Sequence, residues 1–288
     1  DDFSPNAVLT WQPSDEHMLY VSYSEGFKGG GYQLWPVGGG ALTAAEIEFD
    51  GETAESFEAG GKHTLLASTL QVNWSAWSTE VQGLQVAAFD PVITAQNIVN
   101  AGQTTSEGVE GDFIWLPDAS HRISASFAYT DATYDSYEGA NCYPGQTPEM
   151  GCVGGQQSLT GQSVSYAPEW QYIFSVDGAY SFAANMEWGW RAAYNWRDDQ
   201  FIGTTNHPTA DVQEAYGKFN ASLFLASADG KWRVSLIGTN LNDENVGTGA
   251  NHGRMMNLLP ERGVTPAIPT LVFMAPGRQV AIQGRFNF

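Results

Sequence analysis

Residues that could bind a metal ion or carry out catalysis are few and scattered along this 288-residue chain. The two cysteines are Cys142 and Cys152, and because no histidine lies near them in the sequence, they lack the further ligands that a zinc site needs. The five histidines have no partner at the spacing of metal ligands and lie at His17, His63, His121, His207 and His252. No combination of serine, histidine and acidic residue surrounds a nucleophile-turn motif. The sequence therefore predicts no catalytic residue, no bound metal and no cofactor.

Long polar segments hold a second group of candidates, which could contact a ligand or a cation. Asp198, Asp199 and the segment Glu46–Asp50 offer carboxylate oxygens of the kind that calcium prefers. We interpret these carboxylates as a solvated acidic surface. His207 and His252 lie in segments of the same kind, and we interpret them as solvated histidines that a ligand could reach.

Apolar and polar residues alternate along most of the chain, which predicts that β-strands position all of these candidates. The clearest case is Met186–Arg197, whose apolar face holds Met186, Trp188, Trp190, Ala192, Tyr194 and Trp196. The opposite face of the same segment holds Glu187, Arg191, Asn195 and Arg197. The segments Leu70–Trp77, Arg122–Thr130, Trp170–Tyr180 and Lys218–Ser227 alternate in the same way. Many runs are longer than the roughly 5–6 residues that are usual for strands of soluble sheets.

The connections between these segments are alternately tight and long. The tight ones are Pro13–Glu16, Leu66–Leu70, Pro117–Ser120, Ser181–Ala184 and Ser227–Gly230, and the long ones are roughly residues 26–53, 87–102, 136–167, 198–211 and 241–276. About eleven strands joined in this way are typical of an all-β, antiparallel transmembrane β-barrel, with short periplasmic turns and long extracellular loops. Its apolar strand faces contact lipid and its polar faces line the lumen. A soluble β-sandwich is the alternative, but its core would have to take Trp188, Trp190 and Trp196 from one strand.

The composition agrees with a barrel and argues against two other classes of protein. Charged residues make up 15% of the chain, below the roughly 25% that is typical of soluble proteins. The formal net charge of −20 makes nucleic acid a poor partner. No run of about 18 apolar residues predicts a transmembrane helix.

The odd number of strands predicts that the chain is a fragment. A complete bacterial barrel has an even number of strands and both of its ends in the periplasm. If the last strand runs toward the periplasm, the first strand, near Pro5–Gln12, runs the same way and needs a partner that precedes it.

Six segments of the chain resemble, in the same order, segments of TonB-dependent receptors. They are YVSYSEGFKGGGYQ (Tyr20–Gln33), ETAESFEAGGK (Glu52–Lys62), NAGQTTSEGVEGDFIWLP (Asn100–Pro117), APEW (Ala167–Trp170), GTNLNDE (Gly238–Glu244) and APGRQVAIQGRFNF (Ala275–Phe288). Each segment alone is a weak signal, but six in order across nearly the whole chain are specific.

This resemblance implies that residues 1–288 are the C-terminal part of a receptor barrel, with about eleven of its 22 strands. The N-terminal plug domain, the energy-coupling segment and the first barrel strands would lie upstream. The implied function is energy-coupled uptake of a scarce ligand, a ferric siderophore in the first instance, across the bacterial outer membrane. Alternatives are a carbohydrate or cobalamin importer of the same family, a passive porin or another outer-membrane barrel.

The implied partners follow from the same resemblance. They are the outer-membrane lipid, the inner-membrane TonB complex (through the missing N-terminal region), the barrel-assembly machinery and the small-molecule ligand. The last strand resembles the C-terminal signal that the assembly machinery recognises, with Val280, Ile282, Phe286 and Phe288 on the lipid face.

The barrel also predicts which residues meet the ligand and which meet lipid. Trp188 and Trp196 would belong to the aromatic girdles at the two membrane interfaces. Candidate ligand contacts come from the opposite strand face and from the outer loops: Arg191, Asn195 and Arg197 in the lumen, and Tyr32, Trp35, Gln200, Phe201 and Arg254 at loop level. Because an exported loop meets an oxidising environment, Cys142 and Cys152 are expected to form a disulfide that holds one extracellular loop.

Overall fold

Eleven long strands form a single antiparallel sheet in which each strand pairs with its neighbours in the sequence. The computed structural model describes residues 3–32, 47–90, 95–183, 185–252 and 270–287. In chain order the strands are β1 (Asn6–Ser14), β2 (His17–Lys28), β3 (Glu52–Leu65), β4 (Leu70–Asp90), β5 (Ala95–Trp115), β6 (His121–Ser136), β7 (Trp170–Phe182), β8 (Met186–Arg197), β9 (Tyr216–Ser227), β10 (Trp232–Thr239) and β11 (Gln279–Phe286). The predicted all-β antiparallel fold with about eleven strands is confirmed.

Tight turns lie at one end of the sheet and the long connections lie at the other. Ser14 pairs with His17, Leu65 with Leu70 and Phe182 with Met186, so these turns fall where the sequence predicts them. At the opposite end the described residues include four short antiparallel pairs: Gly31–Tyr32 with Glu48–Phe49, Ala140–Asn141 with Gln156–Gln157, Gln200–Phe201 with Val212–Gln213, and Gly247–His252 with Thr270–Met274. A short 3-10 helix, Pro148–Met150, lies in the β6–β7 connection.

Helices contribute little to the described part of the chain, and none there has the length and apolar character needed to cross a membrane.

The pairing register assigns the side chains of each strand to one of two faces. Trp188 lies opposite Tyr180 on β7 and Leu225 on β9, so these large apolar residues share the outer face. Arg191 lies opposite Asp177 and Ser222, which places all three on the face that lines the lumen. Because successive residues of a strand point to opposite faces, the alternation in the sequence carries through the whole sheet.

Aromatic contacts on the outer face occur at two levels. Tyr172 stacks on Trp196 with ring centroids 4.8 Å apart, and Tyr180 stacks on Trp188 with centroids 4.9 Å apart. Positions 172 and 180 are eight residues apart on β7, which is about 26 Å along a strand at about 3.3 Å per residue. A strand tilt of about 35–45° reduces this separation to about 20 Å along the barrel axis, which is most of the apolar band of about 25 Å in outer-membrane barrels. The two aromatic levels therefore lie near opposite edges of the predicted apolar band.

Candidate ligand-binding site

A row of mostly polar side chains crosses the lumen face from β3 to β9. Each member lies directly opposite the next on the neighbouring strand, so the register alone brings the row together. In order around the sheet the residues are Lys62, Asn73, Asp112, Ser126, Ile173, Asn195 and Lys218. Residues that are widely separated in the sequence thus form one continuous lumen surface.

This row and the next one toward the loops line a groove of about 750 Å³. The second row contributes Glu110, Gln171, Arg197 and Tyr216. Gln171 and Arg197 adjoin the stacked pair Tyr172 and Trp196, which lies farther from the tight turns than Tyr180 and Trp188 do. Lys62 and Asn73, by contrast, lie only three residues from the turn pair Leu65 and Leu70. The groove therefore runs obliquely across the lumen wall, from near the tight β3–β4 turn to the extracellular ends of β8 and β9.

The carboxylates of the groove accept hydrogen bonds from neighbouring strands. Asn73 Nδ2 donates to Asp112 Oδ2 at 3.0 Å, and Ser75 Oγ donates to Glu110 Oε1 at 3.2 Å. These bonds link β4 to β5 and hold both acidic groups on one side of the groove. They leave the remaining lone pairs of the carboxylates available to a ligand.

The cations of the groove, in contrast, are not committed to carboxylates. Lys62, Arg197 and Lys218 all line it, and none of them forms an ion pair within the residues that the structure describes. The ammonium group of Lys218 lies 5.4 Å from the centroid of the Tyr216 ring, a cation–π contact that orients the lysine without neutralising it. The groove can therefore offer charged donors to an anionic group.

Extracellular connections form a compact unit beside this groove, here called the loop cluster: the β6–β7 connection (residues 137–169) with the β8–β9 connection (residues 198–215). Its apolar core is almost fully buried: Tyr137, Ala140 and Leu159 of the β6–β7 connection pack with Ala101 of β5 and Tyr134 of β6. Burial raises the pKa of the Tyr137 phenol to about 12, with a smaller contribution from nearby Tyr134, so the phenol is neutral at physiological pH.

Buried hydrogen bonds join the two connections of the loop cluster. Gln157 Nε2 donates to the carbonyl oxygen of Asn141 at 2.7 Å and to that of Thr205 at 2.9 Å. Asp211, which is fully buried, accepts a hydrogen bond from Thr205 Oγ1 at 2.7 Å and another from the His207 amide at 3.0 Å. Because a lost partner would leave buried polar atoms unsatisfied, these bonds hold the cluster in one arrangement.

The predicted disulfide is confirmed and lies within the loop cluster. Cys142 and Cys152 are bonded, with their Cα atoms 5.8 Å apart. The Cys142 amide donates to the Gly155 carbonyl at 3.1 Å, and the Cys152 amide donates to the Thr147 carbonyl at 3.1 Å. The disulfide thus closes a segment that backbone hydrogen bonds also hold.

The structure brings some of the predicted lumen residues together and separates others. Asn195 and Arg197 both line the groove. Arg191 lies on the same face but nearer the tight turns, where its Nη2 donates to Ser175 Oγ at 3.3 Å. We therefore assign Asn195 and Arg197, rather than Arg191, to the candidate site.

The predicted loop residues lie in two different places. Gln200 and Phe201 begin the β8–β9 connection directly above Arg197, and the Phe201 carbonyl accepts a hydrogen bond from the Tyr166 amide at 2.8 Å. Gln200 Oε1 is buried and has no hydrogen-bond partner among the described residues. Tyr32 is 62% exposed in the β2–β3 connection, and its hydroxyl donates to Glu48 Oε1 at 3.3 Å. Trp35 and Arg254 lie outside the described residues.

The interpretation of His207 as a solvated loop histidine is wrong. Its side chain is only 8% exposed, and its Nδ1 atom accepts hydrogen bonds from the amides of Thr209 at 3.2 Å and Ala210 at 3.0 Å. His207 therefore stabilises the loop cluster from within, because the loop folds back on itself around the ring. The side chain of His252 lies outside what the structure describes.

A histidine pair on the outer face was not visible in the sequence spacing. His17 lies opposite His63 in register, and their Nδ1 atoms are 2.9 Å apart. Trp74 Nε1 donates to His63 Nε2 at 3.1 Å. Because an indole nitrogen can only donate, neutral His63 carries its proton on Nδ1 and donates it to His17.

The groove also contains residues that the sequence analysis did not name, above all Lys62, Asn73, Asp112 and Lys218. The sequence contains a signal for these residues, because each lies on the polar face of an alternating segment.

The last strand has the predicted orientation. Val280, Ile282 and Phe286 are 64%, 79% and 62% exposed, and they lie opposite the outer-face residues Gly238, Leu236 and Trp232. Phe288 lies outside the described residues.

Comparison with known proteins identifies the fold and the family. The family described as TonB-dependent receptor-like, beta-barrel matches residues 1–241. A probable TonB-dependent siderophore receptor, PiuA of Acinetobacter baumannii, is 26% identical over 152 residues, which are 52% of this chain and 20% of that protein. The chain therefore spans about a fifth of this curated relative.

Two solved structures share the fold at low sequence identity. The ferric yersiniabactin uptake receptor FyuA from Yersinia pestis matches 98% of this chain and 37% of its own, with a TM-score of 0.73 and 18% identity. The siderophore receptor PiuA from Acinetobacter baumannii matches 97% of this chain and 35% of its own, with a TM-score of 0.65 and 19% identity. Because the family match covers most of the chain, this protein belongs to the TonB-dependent receptor β-barrel family, whose members are outer-membrane receptors rather than enzymes, and it is an outer-membrane protein.

Proposed function

We propose that this chain is part of a receptor that takes up a ferric siderophore across the outer membrane by energy-coupled transport. The proposal draws on the family and on the named function of the PiuA relative. In it, residues 1–288 are the C-terminal part of the barrel, and a plug domain and the first barrel strands precede them in the complete receptor. The TonB complex would act through that preceding region.

The observation that carries the proposal is the charge arrangement of the groove. Lys62, Arg197 and Lys218 face the lumen without ion-pair partners in the described structure. An iron(III) chelate whose anionic oxygens outnumber the charge on the metal is itself an anion. Charge-assisted hydrogen bonds from guanidinium and ammonium groups are strong and suit such oxygens.

The neighbouring loop cluster supports the same function. A ligand-binding surface gains affinity when its shape exists before the ligand arrives, because fewer side chains are ordered on binding. The bonds of Gln157 tie the connection that holds the Leu159 core to the β8–β9 connection, which begins directly after Arg197 and forms such a fixed rim there. Gln200, at the start of the β8–β9 connection, places a buried acceptor without a partner at the same rim.

Assembly and lipid contact complete the proposal. The stacked aromatic pairs that contain Trp196 and Trp188 would lie at the two membrane–water interfaces. The outer-face residues of β11 would form the signal for the barrel-assembly machinery. A receptor with the substitution Phe288→Ala should insert poorly into the outer membrane. The heat-modifiable migration of membrane fractions on gels measures this insertion, and normal insertion of the variant would refute this assignment.

Binding to the complete purified receptor tests the ligand class. Isothermal titration calorimetry would compare ferric siderophores, the same siderophores without iron, cobalamin and a maltooligosaccharide. We expect saturable binding of at least one ferric siderophore and weaker binding of its iron-free form. If cobalamin or the sugar bound and no ferric siderophore did, the bound compound would be the cargo in place of a siderophore.

Electrical measurements separate a gated receptor from a passive porin. The complete receptor in a planar lipid bilayer should show little steady ionic conductance, because a plugged lumen has no open path. A stable, ligand-independent conductance would favour the porin.

A further inference from the structure

Two arginines face each other on the lumen side of the last strand pair. Arg233 of β10 lies directly opposite Arg285 of β11. The flanking pair Trp232 and Phe286 belongs to the outer face, so the arginines point into the lumen. The site is close to the tight β9–β10 turn, because the Asn287 amide donates to the Lys231 carbonyl at 2.8 Å. It therefore lies at the periplasmic end of the lumen wall, away from the ligand groove.

Arg233 is held in place by a ring on the neighbouring strand. Its guanidinium carbon lies 3.6 Å from the centroid of the Phe224 ring. The ring in turn occupies the space above Gly189, where an added Cβ atom would come within 2.3 Å of a ring carbon. A stacked guanidinium keeps its N–H edges free, so the stack orients the fork of donors without using them.

On the β9 side of the pair, the strand row that holds Arg233 has no adjacent acidic residue among the residues that the structure describes. Arg233 and Arg285 line a groove of about 290 Å³ with Ser222, Ser235, Ile237 and Gln283. The nearest acidic residue in the same row is Glu187, which is two strands from Arg233 through Ala226. At about 4.8 Å between strands, this places its backbone about 10 Å away. Neither arginine forms an ion pair within the described residues.

An unneutralised pair of like charges that lie directly opposite on adjacent strands destabilises a sheet. A carboxylate or phosphate group between the two forks would remove this repulsion and accept charge-assisted hydrogen bonds from both sides. The hydroxyls of Ser222 and Ser235 and the amide of Gln283 add further donors within the same groove.

We propose that Arg233 and Arg285 form an oxyanion-binding site at the periplasmic end of the lumen wall, and that it holds a carboxylate or phosphate group. This inference rests on the strand register and does not depend on the cargo proposed above. The oxyanion is either a carboxylate of the complete receptor or free phosphate in the periplasm.

Chemical modification of arginine distinguishes these sources and tests the site. The complete purified receptor would react with phenylglyoxal, with and without inorganic phosphate, and peptide mass spectrometry would give the rate at each arginine. Arg122, which is exposed and faces the lumen opposite Asp177, is the matched control. Arg285 is the main reporter, because the ring stack protects Arg233 by itself.

We expect Arg285 to react about tenfold more slowly than Arg122, the ratio that a modest binding free energy produces. Protection without phosphate identifies a carboxylate of the protein, and protection only with phosphate identifies a free anion. The variant Arg233→Gln should abolish the protection in either case, provided that heat-modifiable migration shows a folded barrel. Equal rates at Arg285 and Arg122 under both conditions, or protection that persists in Arg233→Gln, would overturn the proposal.

Discussion

The loop cluster and the ligand groove adjoin each other, but the cations of the groove lack the partners that the buried polar groups of the cluster have. In the loop cluster Gln157 and Asp211 are buried: Gln157 donates hydrogen bonds within its own connection and to the β8–β9 connection, and Asp211 accepts hydrogen bonds within its own connection. In the groove Lys62, Arg197 and Lys218 face the lumen without ion pairs in the described structure. The difference indicates that the cluster supplies a fixed shape, whereas the groove supplies charge that only a ligand or another segment neutralises.

This contrast has a physical origin. A connection outside the membrane can bury its backbone only if each buried N–H and C=O group has a partner, and the cluster meets that requirement with side chains as well as backbone. Lumen side chains project from strands whose backbone groups are already paired, so they are free for other contacts. Changes in the cluster should therefore alter stability, and changes in the groove should alter affinity.

The largest expected effect comes from the core of the loop cluster. Leu159 is 1% exposed, so Leu159→Ala should destabilise the cluster by about 2–5 kcal/mol through lost burial and a cavity. Hydrogen exchange should accelerate at the Leu159 and Gly161 amides, which donate to Tyr137 and Tyr134. The control Val153→Ala, at a side chain that is 74% exposed, should leave exchange nearly unchanged. Unaltered exchange in Leu159→Ala would mean that the core does not stabilise the cluster.

A smaller effect is expected where the two connections meet. Gln157→Leu removes the donors to Asn141 and Thr205 and leaves their carbonyl groups without these bonds. The expected cost is about 1–3 kcal/mol, because buried acceptors lose their partners. Hydrogen exchange should increase in residues 198–211 as well as in the mutated connection. If only the mutated connection responded, the two would not be coupled.

The groove should respond in affinity rather than in stability. Arg197→Gln should weaken binding of the ferric siderophore about tenfold, because one charge-assisted contact is lost. Hydrogen exchange in the loop cluster should stay as in the wild type. Arg278→Gln is the control, since Arg278 pairs with Asp243 on the extracellular side at 3.5 Å. Equal affinity in the two variants would remove Arg197 from the site.

The smallest effect is expected on the lipid face. Tyr172→Leu removes the ring that stacks on Trp196, a contact worth about 0.5–1.5 kcal/mol. The barrel should unfold at slightly lower denaturant concentration, while ligand affinity and loop exchange stay constant. A change in affinity would show that the outer face and the groove are not independent.

The strand framework and its two faces were predictable because they depend on a local period of two residues. The same period placed Asn195 and Arg197 in the lumen and, applied to β3, β4, β5 and β9, would have added Lys62, Asn73, Asp112 and Lys218. The loop cluster was not predictable in this way. Gln157 and Thr205 are 48 positions apart in segments without any period, so only the folded connections bring them together.

His207 illustrates the same limit. A histidine between a polar residue and a proline in a loop has no sequence signal for burial, and its partners are amides within its own turn. The disulfide was predictable because it needs only two cysteines and an oxidising compartment.

Uptake by living cells tests the central claim most directly. A strain lacking the receptor would be supplied with radiolabelled ferric siderophores, with the complete receptor, the Arg197→Gln variant or an empty vector. We predict that the receptor restores uptake of at least one ferric siderophore, that a protonophore abolishes this uptake, and that Arg197→Gln reduces it at low ligand concentration. The proposed function would be contradicted if the receptor increased the uptake of none of the ferric siderophores. It would also be contradicted if the restored uptake continued after the protonophore was added.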